Sequence, residues 1–154
     1  MGSQKKWDER FLGLLSKIAS WSEDESSQHS AIVVSPNKRE VSIGFNGLPR
    51  GVKNEAERQV RPFKYHWFAH AEQNAMDNAA RSLEGWTIYC TFFPCSACAR
   101  SIIGNGIKRV VCSEELVSVD PTQRHRKSKE LAERWHDSQE VAKTMFREAG
   151  VDFA

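Results

Sequence analysis

A histidine at 70, a glutamate at 72 and cysteines at 95 and 98 are the residues of this chain best suited to chemistry. They stand in His70-Ala71-Glu72 and in Pro94-Cys95-Ser96-Ala97-Cys98. One imidazole and two thiolates make three soft ligands, one fewer than a closed structural zinc site uses. Three ligands leave the fourth tetrahedral position for water, and zinc brings the pKa of that water to about 7. Glu72 lies two residues along a helix from His70 and so faces another way. It can carry protons beside the water instead of joining the metal. The expectation is a catalytic Zn2+ with His70, Cys95 and Cys98 as ligands and Glu72 as the catalytic acid and base.

Both motifs need helix starts to hold them. From His70 to Arg81 the pattern is helical, with Ala71, Ala75, Met76 and Ala79 on one face. Residues 95–106 predict a second short helix ended by Gly104 and Gly106. A helix N-terminus lowers thiol pKa and favours ligating thiolates. Between the two, 86–92 reads as a buried strand, and 107–113 as another. Upstream, Trp7, Phe11, Leu14, Leu15, Ile18 and Ala19 mark an amphipathic helix over about 5–21. Two β-branched runs, 31–35 and 40–46, flank Pro36-Asn37-Lys38-Arg39 and predict a hairpin. Residues 47–66 lack periodicity and predict a long loop. It is basic, with Arg50, Lys53, Arg58, Arg61 and Lys64 against Glu55 and Glu57.

A polar segment with Arg124-His125-Arg126-Lys127 precedes a last helix, about 128–149. Its apolar face carries Leu131, Trp135, Val141, Met145, Phe146 and Ala149, and Val151-Asp152-Phe153 follows as a short strand. The alternation predicts an α/β layered sheet in one domain over 1–154. Both metal motifs then fall where a loop or strand hands the chain to a helix, as open α/β sheets place their sites.

A chain of 154 residues with 40% hydrophobic and 27% charged content reads as soluble and globular. No apolar run reaches the ~20 residues that span a bilayer, and no signal-peptide pattern is present. The expected location is the cytoplasm, the host's if the chain is viral. Met1-Gly2-Ser3 has the look of an expression scar, so residues 1–4 are read as tag-derived or disordered. Four cysteines are too few for a disulfide scaffold, and Cys90 and Cys112 sit among apolar neighbours as core residues. His29, His66, His125 and His136 read as surface or loop residues. A net charge of +2 is too small for a nucleic-acid coat.

His-x-Glu followed by Pro-Cys-x-x-Cys is the signature of zinc deaminases, with the glutamate as acid/base. Alone, the Cys pair also fits a redox couple or half of a structural zinc site, and His70 a satisfied core histidine. The two motifs in this order, each opening a helix, favour catalysis. A wider resemblance then follows from 42–52 (SIGFNGLPRGV), 61–76 (RPFKYHWFAHAEQNAM), 87–111 and the ending Ala149-Gly150-Val151. These segments resemble the deoxycytidylate (dCMP) deaminase family, within the cytidine-deaminase-like superfamily.

The resemblance implies a three-layer α/β/α fold around a mixed sheet of about five strands. It implies attack of a zinc-activated hydroxide on C4 of dCMP, with Glu72 moving the proton to N3, to give dUMP and ammonia. Substrate contacts are expected from Asn46 to the sugar, the Ala71 backbone to the base edge, and Ser22, Tyr65, Phe93 and Pro94. Phe92 is a second candidate to stack on the base. One or two of the loop cations should hold the phosphate. The family is often hexameric, activated by dCTP and inhibited by dTTP, with Mg2+ accompanying the triphosphate. That effector site would use Gly44, Phe45, Asn46, Gly47 and Arg50. The glycines there also suit a tight turn with φ > 0.

The chain departs from the family in three places. Trp21-Ser22 stands where an Arg-Ser pair is common, His29-Ser30 replaces the usual Val-Gly, and 114–127 matches poorly. Two other readings stand beside this one. A tRNA-adenosine or other cytosine-type deaminase would share the zinc motifs, but the long segment between Asn46 and His70 favours a nucleotide substrate and no nucleic acid. A zinc-stabilised binding module without turnover would leave Glu72 without a role.

Overall fold

The hairpin sets the frame. In this computed structural model, which describes residues 3–113 and 124–154 without the side chains of 124–132, β1 (Ser30–Val34) pairs antiparallel with β2 (Val41–Phe45). Ile32 stands opposite Ile43. The turn between them closes with Ser35 N donating to Glu40 O at 2.9 Å. On its other side β1 pairs antiparallel with β3 (Thr87–Cys90), which runs parallel to β4 (Arg109–Cys112). Last, β5 (Asp152–Phe153) lies parallel to β4, giving a five-stranded mixed sheet in the order β2-β1-β3-β4-β5.

Side chains alternate across this sheet into two cores. Ile32, Val34, Tyr89 and Val111 face α1 (Gln4–Ala19), against Phe11, Leu15 and Ile18. Ala31, Val33, Ile88 and Val110 face α3 (Ala71–Asp77), α4 (Ser96–Gly104) and α5 (Arg124–Ala149), with Met76, Ile102 and Phe146 at the centre. Helices on both faces of a mixed sheet are the three-layer α/β/α arrangement expected. Arg109 joins the layers, gripping Asp8 of α1 through two hydrogen bonds of 2.8 and 2.6 Å. Asp8 also accepts from Tyr89 at 2.7 Å. Its carboxyl is pulled down to about 2, the partly buried site pushing it up but Arg109 and Tyr89 prevailing.

The expected elements recur with shifted ends. Ser3 caps α1 by accepting from Lys6 N, and Gln4 opens the helix; Met1 and Gly2 lie outside the described residues. Leu14 is 51% exposed and Val141 is 52% exposed, correcting their expected inward placement. Among the described side chains of α5 the buried positions are Ala142 and Phe146, with Met145 packed against them; Val141 precedes that stripe by one residue, Ala149 is exposed against expectation, and the Leu131 side chain lies outside the described residues. This helix begins at Arg124, four residues before the predicted start; the segment 114–123, expected to be polar, lies outside the described residues. The predicted loop 47–66 holds a 3-10 turn, Ala56–Gln59, and the start of a one-turn helix, α2 (Lys64–Trp67).

Helix α3 stops at Asp77, not Arg81, because the chain turns to meet β2. Asn78 donates to the Ile43 carbonyl at 3.1 Å, Asn74 to that of Phe45 at 2.8 Å, and Ser42 Oγ to Ala75 O at 2.7 Å. The approach is close enough to decide Gly44. It lies in β2 without a positive φ, which corrects the tight-turn expectation for this segment. A Cβ there would overlap the backbone of Ala71 and Ala75. Gly106, by contrast, takes a left-handed conformation, φ 74°, just past the end of α4.

Candidate active site

Two helix starts converge at the C-terminal end of β3. His70 is the extended residue capping α3, and Cys95 is the extended residue capping α4, with Cys98 one turn further in. His70 Nδ1 lies 3.3 Å from Cys98 Sγ and 3.5 Å from Cys95 Sγ. The three ligand atoms all fall within 4.8 Å of one another. Tetrahedral zinc, with Zn–S near 2.3 Å and Zn–N near 2.0 Å, needs donors roughly this far apart. One imidazole and two buried thiols therefore fit a zinc ion.

The thiols are prepared unequally. Hydrogen bonds from the Cys98 thiol, the Cys98 amide and His70 hold Cys95 down to about 4. The same bond to Cys95 and burial push Cys98 up, and the bond to Cys95 raises His70. Glu72 is only 6% exposed. Burial pushes its carboxyl above the usual carboxylate range, against the pull of His70 and the Cys98 thiol.

A cavity opens over this cluster. It encloses about 700 Å³ of space, its solvent-facing mouth included. Its floor is His70, Ala71, Glu72 and Cys95, and its mouth is Arg61, Tyr65 and Arg134. Trp135 of α5 closes one side, edge-on to His70 at 5.9 Å and to Tyr65 at 6.3 Å between ring centroids. His29, Phe92 and Asn46 form the opposite wall.

A profile of the family described as the cytidine and deoxycytidylate deaminase zinc-binding region matches residues 5–114. The chain belongs to the cytidine and deoxycytidylate deaminase family. It is a deaminase. It is 40% identical over 147 residues to an Aliivibrio fischeri protein named an uncharacterized deaminase in the luxG 3′ region, covering 96% of this chain and 91% of that one. It is 32% identical over 158 residues to the mouse (Mus musculus) deoxycytidylate deaminase, covering 96% and 78%. The fold is that of dCMP deaminase from the cyanophage S-TIM5, solved in complex with dCMP and dUMP, with TM-score 0.70, 22% identity and coverage of 99% and 98%. Among the described residues no helix is long and apolar enough to cross a membrane.

This deaminase collects some of the expected site residues and leaves others aside. His70, Ala71, Glu72, Cys95, Asn46, Tyr65 and Phe93 line the cavity. Phe93 also packs edge-on against Phe153 at 5.6 Å and Phe146 at 6.0 Å, so much of its ring serves the core, and Phe92 is the ring beside His29. Ser22 and Pro94 do not reach the cavity wall; Ser22 Oγ donates to the Asn46 carbonyl at 2.7 Å. The expected effector residues lie elsewhere, apart from Asn46. Gly44 is beneath α3, Phe45 lies edge-on to Trp21 at 6.2 Å, Gly47 exchanges backbone bonds with Ala69, and Arg50 is exposed.

Four side chains at the site escaped the sequence. His29, expected at the surface, lines the cavity, and burial holds its imidazole down to about 4. His66 and His136 are exposed as expected, and the side chain of His125 lies outside the described residues. Lys64, expected as a loop cation, is 4% exposed and bonded to Asp24 at 2.7 and 2.9 Å and to Ser26 Oγ at 2.7 Å. Burial pushes the Asp24 carboxyl up, but Lys64 and the Ser26 amide leave it below its usual range. Arg134 and Trp135 come from a helix whose start carried no motif. The replacement of Val-Gly by His29-Ser30 was the one available signal.

Proposed function

We propose that this chain hydrolyses dCMP to dUMP and ammonia. The observation that carries the reading is one continuous cavity lined both by His70, Cys95 and Glu72 at its floor and by Arg61 and Arg134 at its mouth. The relatives named deoxycytidylate deaminases support the same substrate.

A zinc ion held by His70, Cys95 and Cys98 would supply a Lewis acid that lets water ionise near neutral pH. The chain's own groups do the rest. Glu72, buried beside the ligands, takes a proton from the attacking water, passes it to N3 of the pyrimidine and assists the amine's departure from C4. Its raised pKa suits a group that must hold a proton and return it. The Ala71 backbone holds the base edge, and Phe92 walls the ring. The burial of Glu72 and Cys95, with Trp135 edge-on to His70, limits competing water.

The phosphate falls to Arg61 and Arg134. Lys64 is occupied by Asp24, and Arg58 lies over Trp67 at 4.0 Å while donating to the Lys53 carbonyl. Arg61 gives only its Nε, to the Tyr65 hydroxyl at 2.9 Å, and keeps its terminal nitrogens for a bidentate partner. Arg134 has no hydrogen-bond partner among the described residues. Regulation by dCTP and dTTP with Mg2+ on a hexamer belongs to this reading through the resemblance, with exposed Arg50 as its cation.

The test is a deamination assay on zinc-loaded protein with dCMP, CMP, deoxycytidine and dCTP, repeated with added dCTP or dTTP. Turnover of dCMP well above deoxycytidine is expected. Equal turnover of the two removes the phosphate contact, and faster deamination of single-stranded RNA would replace the substrate altogether.

A further inference from the structure

Asn46, the residue expected to reach the sugar, has little bonding capacity left. Its Nδ2 donates to Asp24 Oδ2 at 3.2 Å and to the Ser27 carbonyl at 2.9 Å, and its Oδ1 accepts from the His29 amide at 2.8 Å. Both amide protons are used, so toward a ligand Asn46 can only accept, through the remaining lone pair of Oδ1. A sugar hydroxyl both donates and accepts, and a complete site for one needs a donor next to Asn46.

His29 stands there. Its amide is bonded to Asn46, its ring lies 5.7 Å from that of Phe92 in the cavity wall, and its Nδ1 faces the Thr91 hydroxyl at 3.4 Å. Thr91 Oγ1 accepts from the Ser30 amide at 3.1 Å, and its own proton can go to the Ser30 carbonyl or to His29 Nδ1, each at 3.4 Å. An imidazole that accepts at Nδ1 carries its proton on Nε2, and a doubly protonated one carries a proton there too. Among the described residues no protein group bonds Nε2. The valine usual at this position would offer only hydrocarbon.

We infer, on the strength of the monophosphate reading above, that His29 determines specificity by donating from Nε2–H to the free 3′-hydroxyl of the nucleotide sugar. The hydroxyl in turn donates to Asn46 Oδ1. Every hydrogen-bonding atom of the pair is then satisfied, and a nucleotide without the hydroxyl leaves two of them facing nothing.

The test pairs dCMP with 2′,3′-dideoxy-CMP, which differ only in that hydroxyl, on zinc-loaded wild type, His29→Val and His29→Gln. Wild type should favour dCMP in kcat/KM by on the order of 10- to 100-fold. His29→Val should shrink that ratio below about threefold by losing dCMP activity while the dideoxy rate holds, the signature of a coupled pair. His29→Gln keeps a donor and should recover part of the ratio. Fluorescence titration with dUMP and 2′,3′-dideoxy-UMP should show the same pattern in Kd without turnover. Equal loss on both substrates in His29→Val, or an unchanged ratio, overturns the assignment. So does a wild type that takes both substrates equally. A wild type that deaminates neither overturns the substrate reading and this contact together.

Discussion

The floor and the mouth of the cavity are built on different principles. On the floor, four groups within two short motifs are delivered by two helix starts, His70 capping α3 and Cys95 capping α4. Spacing along the chain fixes their spacing in space, because a residue and its neighbour three positions on share a helix face. At the mouth, Arg61, Tyr65, Arg134 and Trp135 come from a loop, a one-turn helix and the first half of α5. No local pattern ties them, and the loop's positive charge is a poor guide. Lys64, the most deeply buried of those cations, neutralises Asp24 inside the protein. Charge counted along a sequence says nothing about which cations remain available to a ligand.

The largest effect should come from the floor. Glu72→Gln should lower kcat by on the order of 10²- to 10⁴-fold while zinc content and circular dichroism hold. Retained activity would strip the floor of its assigned chemistry. Removing zinc with a chelator should lower Tm by on the order of 10 °C, reversed by adding zinc, since a tightly bound ion adds roughly 4 kcal/mol to the folded state. Loss of activity without a Tm shift would mean that the three ligands do not hold the ion in the folded state.

Lys64 and Arg61 sharpen the contrast within one loop. Lys64→Met should destabilise by about 3 to 5 kcal/mol in a urea titration, because Asp24 is left buried and unpaired. Arg61→Ala should change stability by about 0.5 kcal/mol or less. It should raise KM for dCMP on the order of 10-fold, one lost charged hydrogen bond, and leave deoxycytidine untouched. The reverse outcome would exchange their roles.

The smallest effect concerns pH. His29 has an ordinary pKa near 6.5 when unfolded and about 4 when folded. Between those values the unfolded chain binds a proton that the folded one refuses, so stability falls as pH drops through the window. His29→Val should flatten the stability profile between pH 6.5 and 4 by on the order of 1 to 3 kcal/mol. The Asp8–Arg109 pair acts lower, between about 4 and about 2, and should be unchanged in that variant.

These differences also mark what the sequence could tell. The hairpin, the strands β3 and β4, and the metal cluster were legible because each is marked by a short local pattern in the sequence. Helix α3 ran short because Asn78 bonds across to Ile43, a long-range contact that no helical pattern records. The turns at 56–59 and 64–67 are too short to show periodicity. His29 was misplaced because a histidine closing a polar stretch looks like a surface residue until a strand carries it inward.

Gly44 bears on how this scaffold can vary. A hydrogen is all that fits between β2 and the helix bearing Glu72, so a side chain there must push that helix away. A saturation library across 36–47 should therefore be lopsided. Positions in the hairpin turn should tolerate most replacements, whereas position 44 should return almost nothing but glycine. Directed evolution of this enzyme toward new substrates would have to work from the mouth, because the distance between sheet and reactive carboxylate is set by a residue that cannot be changed in small steps.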